Sequence, residues 1–413
     1  MKLFFALLAL GVGVSLAEKV RFDNYTLYRL TPNNEESLSF LQELEEATDA
    51  PSEYNFWSSP VKVGAEVDIM VPPHRSRFFE AAAKSRQMDF QVVMDNVQEH
   101  IDREDIRQKF ASERFGWTSY HTYEEYNEYL RTLVDRYPNT VTLLQGGTSY
   151  EGRQILGVRV SFSSSNLNRG VFLESLIHAR EWITGAVTTY VLNELLTSTD
   201  PAVRRIAENH DWYVFPVFNP DGYVFTHTSN RMWRKTRVPY SGSCFGADPN
   251  RNWGHYWNSG GSSALPCSET YRGPRAFSEP STRTMSEFIT SISHRLVAYL
   301  SFHSYSQLLL IPYGYTAAYL DNYNVTYPLG LRAAQSLASR YGTQYTVGNI
   351  VEAIYVASGG SMDWVKGTYG TEIAYTYELR DTGRFGFILP AEQIIPTAVE
   401  TLDSLVTILQ YFQ

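Results

Sequence analysis

The chain of 413 residues has only two cysteines, Cys244 and Cys267, so neither a disulfide framework nor a cysteine-rich metal site can organise it. Its 35 basic residues are fewer than its 44 acidic ones, leaving a formal charge of −9, and they gather into no stripe. That argues against nucleic acid as the main partner. Beyond the amino terminus no apolar run is long enough to cross a bilayer, which argues against an integral membrane protein. Internal repeats and low-complexity tracts are also lacking. What is there is ordinary apolar content and 29 tyrosines, enough for one large core with a smaller domain beside it.

Residues 1–17 carry an early lysine, an apolar run over 3–10, and small residues at Ser15 and Ala17 ahead of Glu18 and Lys19. This is the pattern of a signal peptide, too short for a membrane span. Export would join Cys244 to Cys267, closing a loop that stabilises by about 3 kcal/mol in the chain-entropy picture. Without export the two would stay a reduced pair. Asn24-Tyr25-Thr26 and Asn324-Val325-Thr326 become candidate glycan acceptors in a secreted chain.

Periodicity predicts a strand over 20–30, a helix over 35–46 opened by Asn34, two short strands around Gly64, a helix over 77–86 and a strand over 90–94. That is a small α+β open sandwich, here bounded as 18–98. A charged, helix-like segment over 99–114 follows, with Arg103, Arg107, Lys109 and Arg114. It reads either as a permanent linker or as a cut site for a trypsin-like protease.

From 115 to 413 strands and helices alternate, as in an α/β domain with a mixed central sheet flanked by helices. Helices are expected over 121–137, 181–196, 201–209, 279–299, 327–341, 362–366 and 391–411. Strands are expected over 141–144, 153–160, 171–177, 213–217, 344–348 and 373–378, with a further one ending at His303. Phe218-Asn219-Pro220-Asp221-Gly222-Tyr223 reads as a turn, and 226–277 as long aromatic-rich loops of the sort that build a site.

The apolar run 171–177 ends in His178-Ala179-Arg180-Glu181. An imidazole and a carboxylate three residues apart can share a face and grip one divalent ion. They can equally be a hydrogen-bonded histidine and an acid opening a helix. The candidate third ligand is His303, where another apolar run stops, since α/β proteins collect their sites at strand carboxyl ends. Glu378 ends a β-forming run, where a buried acid needs either a salt bridge to a loop arginine or a role as general base. Arg231, Arg234, Arg237 and Arg251 offer guanidinium groups suited to an anionic substrate end or an oxyanion.

Several motifs occur together: His-x-x-Glu with Ala-Arg inside, Asn-Pro-Asp-Gly-Tyr, Trp-Arg-Lys-Thr-Arg, Asn-Arg-Asn-Trp, His-Ser-Tyr, Tyr-x-Ala-Ser-Gly-Gly-Ser-x-Asp-Trp and Glu-Leu-Arg-Asp-Thr-Gly. On these the chain resembles the secreted zinc metallocarboxypeptidase zymogens of the pancreatic A/B type, in particular an insect digestive enzyme, over essentially everything after the signal. The resemblance implies one zinc on His178, Glu181 and His303, Glu378 as base, and Arg234 as oxyanion partner. It implies a carboxylate clamp of Asn250, Arg251 and Tyr355, upstream substrate contacts from Arg180 and Tyr305, and a cleft wall at Phe387. Asp248 would orient His178, and Cys244 would pair with Cys267.

Met362, Gly314 and Thr376 match the type that removes aromatic or aliphatic ends; a B-type pocket for lysine or arginine is the runner-up, while Glu352 should not face the pocket. The resemblance also implies a propeptide over the cleft, cleavage after Lys109 or Arg114 with Arg107 third, proteinaceous inhibitors, and a monomer in a gut lumen acting on peptide and protein carboxyl termini. A decayed binding protein would have lost one of the four metal and base residues. An aminopeptidase would offer a two-metal carboxylate cluster in place of the guanidinium groups.

Overall fold

The computed structural model describes residues 19–46, 54–109, 115–163 and 169–413. The signal segment 1–17 and Arg114 lie outside the described residues.

The amino-terminal unit is a four-stranded antiparallel sheet in the order Asn55–Phe56, Val67–Val71, Thr26–Leu30, Phe90–Met94. Side chains along Val67–Val71 alternate between its two faces. Val67, Ile69 and Val71 pack with Tyr28, Leu30, Leu41 and Phe79 beneath the helices Glu35–Glu46 and Ser76–Ser85. Met70 turns the other way, with Leu27 and Met94, and joins Trp57, Val97 and Ile101 in a cluster shared with Met232, Tyr305, Phe387 and Ile388 of the large domain. All five residues of that strand are therefore buried, because the second face docks rather than meets water. The expected opening of the first helix is present: Ser37 N donates to Asn34 Oδ1 at 2.9 Å, and Glu35 and Glu36 sit in the first turn.

The large domain holds an eight-stranded mixed sheet in the order Thr346–Asn349, Leu308–Ile311, Ile373–Leu379, Leu296–Ser304, Arg169–Ser175, His210–Phe215, Gln154–Val160, Val141–Thr148. The four central strands, Ile373–Leu379 through His210–Phe215, are parallel. Alternation again sorts the side chains. Val171, Leu173, Trp212 and Val214 face the helices Tyr123–Arg136, Trp182–Thr197, Tyr323–Tyr341 and Ile394–Leu409. Phe172, Tyr213 and Phe215 face Pro280–Ile292 and Ser361–Tyr369. Helices cover both faces, as parallel strands require. A capping box at Thr122 and Glu125 starts Tyr123–Arg136.

Several expected elements move. The residues read as a turn at Asn219-Pro220-Asp221-Gly222 form the start of a helix, Pro220–Thr228, with proline in its first turn and Gly222 N donating to Asn219 Oδ1. The helix expected over 279–299 stops at Ile292, and the strand begins at Leu296 after one 3₁₀ turn. The strand expected over 141–144 runs on to Thr148 past a register shift between Gln145 and Gly147. Leu308–Ile311 is a further strand, and Tyr323–Tyr341 begins one turn earlier than expected, running through Pro328.

Candidate metal centre and substrate cleft

Three neighbouring parallel strands deliver the central residues. Arg169–Ser175 leads into the loop carrying His178 and Glu181, Leu296–Ser304 contains His303, and Ile373–Leu379 contains Glu378. His303 and Glu378 are register partners on adjacent strands, so both project from the same face, about 5 Å apart at the backbone. Leu176 turns the chain at φ 52°, its N–H donating to Thr184 Oγ1. Ala179 N donates to Arg234 O at 3.0 Å, fixing the loop between strand and helix.

His178 Nδ1 lies 2.9 Å from Glu181 Oε1 and 3.1 Å from His303 Nδ1, and His303 Nδ1 lies 3.3 Å from Glu181 Oε2. One donor atom from each of the three buried residues falls within 4.8 Å of the others. Two imidazole nitrogens turned toward each other over one carboxylate make a poor hydrogen-bonding arrangement for neutral rings. They make the two-nitrogen, one-carboxylate set of a catalytic zinc site with an open position. The other nitrogen of His178, Nε2, is 3.0 Å from Asp248 Oδ1, which fixes the ring and leaves Nδ1 for a metal. Burial alone would raise the Glu181 carboxyl, but its electrostatic interactions and hydrogen bonds with His178 and His303 outweigh that and lower it.

Glu378 is half-buried at the cleft, and among the described residues it forms no ion pair. Desolvation pushes its carboxyl up to about 8, with His303 opposing and Glu181 adding. Arg234 reaches the same space, its Nη2 donating to Asp248 Oδ2 at 2.8 Å and its Nη1 3.8 Å from Glu181 Oε1. Arg251 Nη2 donates to Tyr355 OH at 3.4 Å, and Asn250 Oδ1 accepts from Ser361 N at 2.9 Å. These groups line a cavity of about 150 Å³ with Met362, Thr376, Leu310, Ile350 and Ile354. Thr376 Oγ1 donates to Met362 Sδ at 3.5 Å.

Gly314 stands behind that wall, its N–H donating to Asp363 Oδ2 at 2.7 Å; a Cβ there would meet Ala357 O at 2.5 Å. Arg231 and Arg237 do not reach the cavity. Arg231 pairs with Glu104 at 2.8 Å and lies over Trp182, while Arg237 is stacked among Phe225, Trp233 and Phe245. Cys244 and Cys267 form a disulfide, Asn24 and Asn324 are exposed, and Lys109 is the last residue of the helix Val97–Lys109.

The amino-terminal unit closes the cleft from above. Arg180 Nη2 donates to Phe56 O at 3.3 Å and Nη1 to Asn55 Oδ1 at 3.4 Å. Trp57 packs on Phe387 at 5.3 Å, and Phe387 also meets Tyr305 at 5.1 Å and the Arg180 guanidinium at 4.2 Å. Tyr305 OH donates to Asp68 Oδ2 at 2.6 Å. The lining residues Glu45, Trp57, Leu310, Ile350, Ile354 and Asp363 were not singled out in the sequence as site residues. Only Asp363, beside Met362 in a motif, carried any signal.

Residues 126–404 match the family described as zinc carboxypeptidase, and residues 28–104 match the carboxypeptidase activation peptide. The zinc carboxypeptidase A 1 of Anopheles gambiae is 46% identical over 409 residues, covering 98% of this chain and 93% of that one. The crystal structure of carboxypeptidase A from Helicoverpa armigera superposes with a TM-score of 0.85 at 30% identity, covering 95% of this chain and 98% of that one. Bovine thrombin-activatable fibrinolysis inhibitor, solved in complex with a tick carboxypeptidase inhibitor, gives a TM-score of 0.68 at 32% identity over 71% of this chain and 98% of that one.

Proposed function

The chain belongs to the zinc carboxypeptidase family and carries that family's activation peptide; from this we propose how its own residues divide the work of a zinc-dependent exopeptidase made as a zymogen. Residues 18–98 are the activation domain, 99–114 the connecting segment, and 115–413 the peptidase. The observation that carries the reading is the His178, Glu181 and His303 donor set beside Glu378 in a cavity also lined by Arg234, Asn250, Arg251 and Tyr355.

Zinc bound by the first three supplies a Lewis acid that polarises the scissile carbonyl and acidifies water. Glu378 takes the proton from the attacking water and passes it to the departing amine. Arg234 faces the developing oxyanion. Asn250, Arg251 and Tyr355 hold the substrate's free carboxylate, which restricts cleavage to the last residue. Arg180, Tyr305 and Phe387 take the residues upstream.

Met362, with Leu310, Ile350, Ile354 and Thr376, makes the side-chain pocket largely apolar, which supports aromatic or aliphatic ends over a buried lysine or arginine. Gly314 supports that wall from behind, where the absence of a Cβ lets Ala357 O approach. The protein is secreted, acts as a monomer in a gut lumen, is released by a trypsin-like protease at Lys109 or Arg114, and is a target for proteinaceous inhibitors of the kind that binds the bovine relative. The test is trypsin treatment followed by hydrolysis of paired peptides ending in Phe, Leu, Lys or Arg. Preference for the last two would establish the B-type reading instead.

A further inference from the structure

The motif running from Tyr355 to Trp364 contains a serine that the reaction leaves without a role. Ser358 is fully buried, and its hydroxyl is engaged in both directions: Oγ donates to Gly260 O at 2.6 Å and accepts from Ser259 N at 3.1 Å. Ser358 N reaches the same Gly260 carbonyl at 3.2 Å. These bonds pin a strap of two glycines, Gly260 at φ 116° and Gly261 at φ 65°. The strap passes so close to Val356 that a Cβ on Gly261 would overlap Val356 O. Its next carbonyl, Gly261 O, accepts from Arg251 Nε at 3.0 Å, while Asn250 O accepts from Nη1 at 3.0 Å and Tyr355 OH from Nη2 at 3.4 Å. A guanidinium grips a carboxylate through two parallel bonds only when its plane is fixed. Of the three hydrogen-bond acceptors that fix it, two belong to Asn250 and Tyr355 of the clamp itself. Gly261 O is the third, and the strap that carries it is held by Ser358.

We propose that Ser358 is a positioning residue for the reaction: through Gly260 and Gly261 it holds the Arg251 guanidinium in the plane that receives the substrate's free carboxylate. The proposal rests on the reading of Asn250, Arg251 and Tyr355 as the carboxylate clamp. Ser358 touches no substrate and acts through Arg251. The carboxylate is not part of the bond being cut, so it is held alike before and during the reaction, and a displaced guanidinium shows in KM rather than in kcat.

The test compares kcat and KM of the activated enzyme on an N-blocked dipeptide ending in Phe. Ser358→Ala is expected to raise KM by roughly three- to tenfold, the span of one net hydrogen bond, with kcat held within about twofold. Arg251→Lys removes the Nε–H that meets Gly261 O and is expected to raise KM by itself. In that background Ser358→Ala should move KM by less than about twofold, because the two changes break one chain of contacts. An increase of the same size in both backgrounds means that Ser358 does not act through Arg251 and overturns the proposal. A fall in kcat with KM unmoved overturns it as well, since that is general damage to the site. Ser358→Cys, close in shape but with a weak S–H donor, is expected to move KM in the same direction and carries the comparison if the alanine variant does not fold. An unchanged KM in the Ser358 variants, with Arg251→Lys raised, defeats only the role of Ser358, whereas an unchanged KM in Arg251→Lys defeats the clamp reading itself.

Discussion

Replacing Tyr305 by phenylalanine should loosen the activation domain without cutting the chain. The Tyr305 hydroxyl donates to Asp68 Oδ2 at 2.6 Å, across the boundary between the two domains. Asp68 is itself held by Arg29, whose Nε and Nη2 donate to its two oxygens at 2.7 Å each, so it keeps a partner inside the activation domain after the change. The ring stays against Phe387, leaving that contact in place. The lost interaction is therefore one hydrogen bond to a charged acceptor, worth about 1.5–3 kcal/mol. At 1.4 kcal/mol per factor of ten, the ratio of open to closed cleft should rise on the order of 10- to 150-fold. The assay is hydrolysis of a small blocked dipeptide by the intact chain, divided by the rate of the same variant after proteolytic activation. That division cancels any loss of substrate contact at Tyr305 itself. An intact-to-activated ratio within twofold of the unaltered protein's would refute the reasoning.

Three further outcomes follow from the site and its surroundings. Glu378→Gln should lower kcat by roughly 10²- to 10⁴-fold while thermal stability changes little, and a loss confined to KM would contradict its role as base. Met362→Asp places a carboxylate in the pocket wall and should cut kcat/KM for phenylalanine ends at least about tenfold while raising turnover of lysine or arginine ends; an unchanged substrate order would remove Met362 as a determinant. Burial raises Glu174 to about 7 from an ordinary carboxyl value, with the His303 charge and hydrogen bonds from Ser301 and Tyr299 only partly offsetting it. Its folded form therefore binds the proton more tightly than the unfolded chain does, so stability is lost as pH rises between those two values, by about 3 kcal/mol in all. Glu174→Gln should flatten that stretch of the urea-unfolding profile between pH 4.5 and 7.5, and parallel profiles would show that Glu174 does not titrate there.

The parts of the site that could be read from sequence are those whose chemistry is local or terminal. His178 and Glu181 are three residues apart, and both His303 and Glu378 lie at or near the end of an apolar, β-forming run, where a polar residue stands out. The pocket walls did not stand out, because Leu310, Ile350 and Ile354 are ordinary apolar residues that only the fold brings together. The latch between Asp68 and Tyr305 joins positions far apart in the chain, and nothing in either neighbourhood marks it. Misread elements have a different cause. Asn219-Pro220-Asp221-Gly222 is turn chemistry by composition, yet a side-chain cap and a proline are also how helices begin. Leu296 to Tyr299 is apolar enough to extend a helix or start a strand, and pairing with Arg169–Ser175 and Ile373–Leu379 settles it as strand.

The central claim is that His178, Glu181 and His303 together hold a single zinc on which turnover depends. Elemental analysis of the purified, activated protein should find one zinc per chain, lost together with activity on strict chelation and regained with it when zinc is returned. Protein that contains no metal, or that works undiminished after chelation, would contradict the account.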